Sequence, residues 1–179
     1  MEGIVLVGPA EEYIKEIKEY RDEFPVGEMT ATPDPDAIPG MNGLEKCGSV
    51  EEWLDMCRRE KGRISRFMAV RIADGALVGF CCLRHKLEYD DEDPVFASHI
   101  SYSVRPGERG KGYAKEQLRL LLRKAADAGL DEVRVICRED NEASRCAILA
   151  NGGVYIDTVR GEESGFTVER YDIPVRRFF

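Results

Sequence analysis

The chain has 179 residues, 43% of them hydrophobic, which is enough length and apolar content for one well-buried core. Its formal net charge of -8 argues against nucleic acid or an anionic membrane as main partner, since both demand a basic face. No apolar run reaches the roughly 18 residues of a spanning helix, and Met1-Glu2-Gly3 opens no charged-then-apolar leader, so the expected location is the cytoplasm.

Gly3 to Val7 reads as a short opening strand. Pro9 opens a helix to about Arg21, with Tyr13, Ile14, Ile17 and Tyr20 recurring on one face. Residues 24–48 are rich in Pro, Gly, Asp and Thr, and a loop of this length in a compact domain is usually functional or disordered. Ser49 caps a helix from Val50 to about Lys61, with Glu51 and Glu52 in its first turn and Trp53, Leu54 and Cys57 apolar. Ser65 to Ala73 and Ala76 to Leu83 follow as strands joined by a tight turn at Asp74-Gly75. The acidic run Asp90 to Asp93 reads as a solvated hairpin tip.

Residues 99–153 carry most of the chemistry. His99 to Val104 is a β-prone run, Arg105 to Gly112 a glycine-rich turn, and the next stretch to about Ala128 an amphipathic helix. Ala114, Leu118, Leu121, Leu122 and Ala125 recur at helical spacing, and Gly129 supplies a stop. Strand, glycine turn and helix start make a place where backbone N–H groups converge on an anion. Gly110 and Gly112 allow close approach of the main chain, while Arg109 and Lys111 add positive charge, so the reading is a phosphate or pyrophosphate cradle. A nucleotide P-loop needs Lys-Ser or Lys-Thr after its second glycine, and the dinucleotide fingerprint needs three spaced glycines; neither occurs here. Asp131 to Cys137 reads as a further strand, Asn141 caps a short helix from Ala143 to Ala150, and Asn151-Gly152-Gly153 ends it. Val154 to Arg160 and Gly165 to Ile173 look like a closing hairpin.

The spacing Arg109-x-x-Gly112-x-Ala114, with Val104 and Pro106 upstream and an asparagine-led helix downstream, resembles the acetyl-CoA loop of the GNAT superfamily of acyl-CoA N-acyltransferases. The resemblance covers essentially the whole chain as one domain over 1–179. It implies an α/β (α+β) fold, a mixed and mostly antiparallel twisted sheet of about six to seven strands flanked by about four helices. It implies acetyl-CoA as co-substrate, its pyrophosphate held by the loop Arg109, Gly110, Lys111, Gly112, Tyr113 and Ala114. The strand residues Tyr102, Ser103 and Val104 and the helix residues Asn141 and Ser144 would hold the pantetheine arm. Residues 24–48 lie where such proteins build the acceptor wall. The acceptor is then a primary amine of a small molecule or an exposed peptide amino group, with a homodimer left open. Transfer to oxygen, a longer acyl chain, or a non-catalytic acyl-CoA-binding module are the alternatives.

The implied chemistry is direct attack of a neutral amine on the thioester, with CoA thiolate leaving. Many relatives protonate that thiolate with a tyrosine seven residues after the asparagine; here that position is Ile148, so the proton is expected from water or a nearby hydroxyl. His99 and Glu88 are the candidate general bases, a histidine near neutrality being suited to the task. The six cysteines form no Cys-x-x-Cys pair and only two histidines accompany them, so no metal site is expected and the thiols are read as reduced and mostly buried.

Overall fold

The computed structural model describes residues 3–25, 36–87, 97–162 and 165–175. The elements run β1 (Ile4–Val7), α1 (Ile14–Asp22), α2 (Val50–Glu60), β2 (Ile64–Arg71), β3 (Leu77–Arg84), β4 (Ile100–Val104), α3 (Tyr113–Asp127), β5 (Glu132–Arg138), α4 (Glu142–Ala150), β6 (Val154–Arg160) and β7 (Thr167–Pro174). This is the order expected from the sequence. Seven strands form one sheet, β1-β2-β3-β4-β5-β7-β6, antiparallel at every pairing except the parallel β4–β5.

Local chemistry accounts for the element ends. Ser49 Oγ accepts the Glu52 amide at 3.1 Å while the Glu52 carboxylate reaches back to the Gly48 amide at 2.8 Å, a reciprocal cap for α2. Gly75, at φ 74°, makes the β2–β3 turn, closed by the Arg71 amide on the Ala76 carbonyl at 2.8 Å. The first helix departs from expectation at its start. Ala10 is extended and Glu11–Tyr13 form a 3-10 turn, so Pro9 stands outside the helix and Glu11 and Glu12 take the first turn, where carboxylates suit the dipole.

Helices cover the two faces of the sheet unequally. On one face α3 buries Leu118, Leu121, Leu122 and Ala125 against Leu83, Ile100, Val133, Val135 and Ile173. Each such leucine contributes about 1.5–3 kcal/mol by leaving water. On the other face α1 and α2 bring Ile17, Tyr20, Trp53 and Leu54 onto Met68 and Phe80. Cys81 packs in the first layer, whereas Cys82 turns to the opposite face and meets Asn42, as adjacent strand residues must.

The feature that positions the site is the join between β4 and β5. It has a single register pair, Ile100 with Val135, preceded by the His99 amide on the Arg134 carbonyl at 2.9 Å. After that rung the strands part.

Candidate active site

A cleft of about 520 Å³ opens where β4 and β5 separate. The β4 ladder decides which groups face it. His99 O accepts the Arg84 amide, and the Arg105 amide donates to Val78 O, so the odd-numbered residues of β4 serve β3. Tyr102 and Val104 therefore direct main-chain groups toward the gap. An extended, amide-bearing ligand can take those bonds as a missing strand would.

The far end of the cleft is built for an anion. Gly112, at φ 87°, is the N-cap of α3, and no side chain caps it. The first amides of a helix lack intrahelical partners, and Gly112, Tyr113, Ala114 and Lys115 line the cleft there. Gly110, also lining, sits at φ 78°, a backbone conformation that L side chains rarely adopt. Arg109 lines the same end, its guanidinium 5.5 Å from the Phe24 ring centre and its Nε donating to Val104 O at 3.4 Å. Lys111 differs from expectation. It is exposed, its ammonium pairs with Glu108 at 2.8 Å, and its side chain does not line the cleft.

Two contacts hold the helices to the split. Gln117, fully buried on α3, donates from Nε2 to the Ser103 carbonyl at 3.1 Å, and Gly79 on β3 leaves room for it. Asn141 caps α4 through the Ser144 amide at 3.0 Å. That cap presents the Ser144 hydroxyl 2.9 Å from the Tyr102 hydroxyl, beside Cys137 in the cleft wall. Burial pushes the Tyr102 hydroxyl above its ordinary range, so it stays protonated at neutral pH. Burial, with Glu169 nearby, pushes the Cys137 thiol up to about 12, which leaves it a packing residue and not a nucleophile.

One expectation needs correction, and two further side chains sit where the sequence alone did not show. His99 does not line the cleft; its Nδ1 accepts the Arg134 amide at 2.8 Å, and burial, reinforced by Arg134, lowers its pKa. It bridges the last β4–β5 rung and is in no position to take a proton from an amine in the cleft. Ile148 is wholly buried in the core beneath α4, whereas Ala143, Ser144, Cys146, Ala147 and Ala150 of that helix line the cleft. A tyrosine there would overpack the core instead of reaching a thiolate. Cys146, in a chain whose thiols were expected to be mostly buried, is exposed and lines the cleft. Glu88 lies outside the described residues, as do residues 26–35 of the 24–48 loop and the acidic run Asp90 to Asp93.

The near end of the cleft belongs to residues the sequence reading did not single out. Ile38, Pro39 and Asn42 come from the described part of the long loop, Arg84 from β3 and Ser101 from β4. Asn42 hangs over β4 with Ser101 Oγ 2.8 Å from its Oδ1. A polar residue embedded in a Pro/Gly-rich loop has no periodicity to betray it.

The sequence matches the family model of the acetyltransferase (GNAT) domain over residues 14–154. The chain belongs to the GNAT acetyltransferase family. Solved GNAT structures share its fold at low sequence identity. A spermidine N-acetyltransferase chimera of Vibrio cholerae SpeG and hSSAT superposes with a TM-score of 0.68 at 15% identity, covering 98% of this chain and 97% of that one. RimL, a ribosomal-protein alpha-N-acetyltransferase solved with coenzyme A, gives 0.69 at 14%, covering 96% and 93%. The protein yncA of Salmonella typhimurium, solved with its cofactor acetyl-CoA, gives 0.69 at 12%, covering 96% and 94%. No curated protein matches the sequence. Among the described residues of this GNAT chain no group of His, Cys, Asp and Glu could hold a metal ion, and no helix is long and apolar enough to cross a membrane.

Proposed function

We propose that this GNAT protein moves the acetyl group of acetyl-CoA directly to a primary amine of a small molecule or an exposed peptide amino group. The observation that supports it best is one cleft combining an uncapped helix N-terminus with a strand edge left unpaired by the β4–β5 split. The amides from Gly110 to Ala114 and the Arg109 charge would hold the pyrophosphate, and the Tyr102 and Val104 main chain would align the pantetheine arm. Asn141 and Ser144 close the same wall. When bound, acetyl-CoA supplies the acyl group as an activated thioester.

The chain's own residues then manage position and protons. Holding both reactants in one cleft removes most of the entropic barrier to their meeting. In transfer, a nitrogen–carbon bond forms as the carbon–sulfur bond breaks, the amine gives up a proton and the sulfur gains one. We assign the proton given to the departing sulfur to the Ser144 hydroxyl; its 2.9 Å contact with the Tyr102 hydroxyl supports this, because that hydroxyl can resupply the proton. A thiol of pKa about 8.5 needs only modest help to leave. The described lining residues include no Asp or Glu, and the amine proton passes to water or to Glu88, the other base the sequence offers.

The test is calorimetry with acetyl-CoA together with thiol release against an amine panel. Acetyl-CoA is expected to bind, and Ser144→Ala to lower kcat by about 10–100-fold with little change in acetyl-CoA affinity. A Ser144→Ala enzyme with unchanged kcat would remove that residue from the mechanism. Binding without transfer to any amine would favour the non-catalytic alternative.

A further inference from the structure

The end of α1 meets β4 and the cofactor turn through three contacts in a row. The helix closes with the Glu23 amide on the Tyr20 carbonyl at 3.3 Å and the Phe24 amide on the Arg21 carbonyl at 3.2 Å. That tight closure keeps Tyr20, Glu23 and Phe24 on one side, as spacings of three and four on a helical turn do. Tyr20, wholly buried, has its hydroxyl 3.0 Å from that of Ser103. Glu23 accepts Arg105 Nε at 2.9 Å on one oxygen and 3.0 Å on the other. The half-buried Phe24 ring lies under Arg109, with the guanidinium carbon 5.5 Å from the ring centre.

The ring is itself held from behind. Its centre is 5.0 Å from that of Tyr20, Tyr20 stands edge-on to Phe80 at 4.9 Å, and Phe80 to Trp53 at 6.0 Å. A row of rings therefore runs from the core under α2 to the arginine of the cradle. Pairs at these spacings attract one another, so the row fixes where Phe24 lies. A ring is also a particular kind of neighbour for a cation. It attracts the charge through its quadrupole and takes none of the N–H donors, whereas Glu23 takes donors of Arg105 and Glu108 one of Lys111. The contact with Phe24 thus costs Arg109 no donor. It also removes beforehand part of the rotamer freedom that a long side chain loses on gripping a phosphate.

Building on the acyltransferase reading, we propose that Phe24 is a positioning residue for acetyl-CoA, holding the Arg109 guanidinium in place for the pyrophosphate before the cofactor arrives. Phe24 need not touch the cofactor. The ring acts on the cation, and the cation acts on the anion. Its share of the affinity is therefore conditional on Arg109, and that condition separates positioning from plain packing.

The test is a double-mutant cycle on acetyl-CoA affinity, read by calorimetry on the full chain. Phe24→Leu keeps an apolar side chain and removes the ring; it should weaken acetyl-CoA about 3–10-fold while the protein stays folded. Phe24→Tyr keeps the ring and should bind within about 2-fold of wild type. Arg109→Ala alone should weaken binding about 5–150-fold, and Phe24→Leu added to it should change affinity by less than about 2-fold further. A folded Phe24→Leu protein within about 2-fold of wild type overturns the proposal. So does an equal loss with and without Arg109, which would make the ring a packing residue, and so does a Phe24→Tyr protein as weak as Phe24→Leu. Affinity untouched by Arg109→Ala would remove that arginine from the cradle and the proposal with it. Failure of wild type to bind acetyl-CoA is a separate readout in the same titrations, and it would overturn the acyltransferase reading together with this proposal.

Discussion

Gly79 tests how closely the cofactor helix sits on the sheet. A Cβ built there would lie 2.4 Å from Gln117 Nε2, 2.9 Å from Gln117 Cδ and 2.6 Å from the Ser103 carbonyl oxygen. The carboxamide can swing aside, but the carbonyl is β4 backbone and cannot. Gly79→Ala must therefore push β3 and β4 apart or lift α3, breaking the 3.1 Å bond from Gln117 to Ser103. Overpacking costs about 1–3 kcal/mol and a stranded buried partner about another 1–3, while a stiffer unfolded chain offsets about 0.4–1. The net is about 3 kcal/mol, or a fall in Tm of about 6–12 °C for a chain of this length. Denaturant unfolding followed by circular dichroism measures it, and an acetyl-CoA titration should show weaker binding because the α3 amides have shifted against β4. Adding Gln117→Ala should restore only part of the loss, since the carbonyl contact remains. A Gly79→Ala protein within about 0.5 kcal/mol of wild type would refute the reasoning, because it would mean that helix and sheet have slack.

Gly112→Val should abolish acetyl-CoA binding, since a β-branched residue at φ 87° distorts the helix start; a folded variant with wild-type affinity would contradict the cradle. Leu118→Ala, at a wholly buried site, should cost about 2–5 kcal/mol in denaturant unfolding, and a loss under about 1 would place Leu118 on the wrong face. His99 has a folded pKa lowered by burial, so the unfolded chain binds its proton first. Stability should hold above the ordinary histidine value of about 6.5 and fall as pH drops from there toward the lower folded value. His99→Gln should flatten that slope and leave the pH profile of transfer untouched; an acidic limb lost in this variant would restore His99 as the base.

The legible parts of the molecule were those where one residue type answers to one local demand. Ser49 and Asn141 announce helix starts because a side-chain oxygen is what orphan amides need, and both cap as read. Gly110 and Gly112 announce a special backbone because few other residues accept it. The leucines of α3 announce a face through their spacing. What escaped depends on neighbours distant in sequence. Lys111 turns away because Glu108 captures it, His99 is occupied because β5 delivers the Arg134 amide, and Asn42 is held at the cleft by Ser101 and Cys82 on two strands far along the chain. That Ile148 lies in the core under α4 also depends on strands distant in sequence, which a count from Asn141 does not show.

The single rung between β4 and β5 has a mechanical meaning. It makes the sheet two leaves, β1 to β4 and β5-β7-β6, meeting at a spine only as long as His99 and Ile100. Helix α3 is the strap across them. Gln117 fastens it to the first leaf, and Leu121, Leu122 and Ala125 share a core with Val133, Val135 and Ile173 of the second. The leaves are thus free to differ in local stability, and a ligand lying along the gap ties one to the other. At a concentration of about 100 times its Kd such a ligand adds about 2.7 kcal/mol to the folded state. Amide exchange at Tyr102 and Val104, slowed by that ligand, would report the binding together of the book.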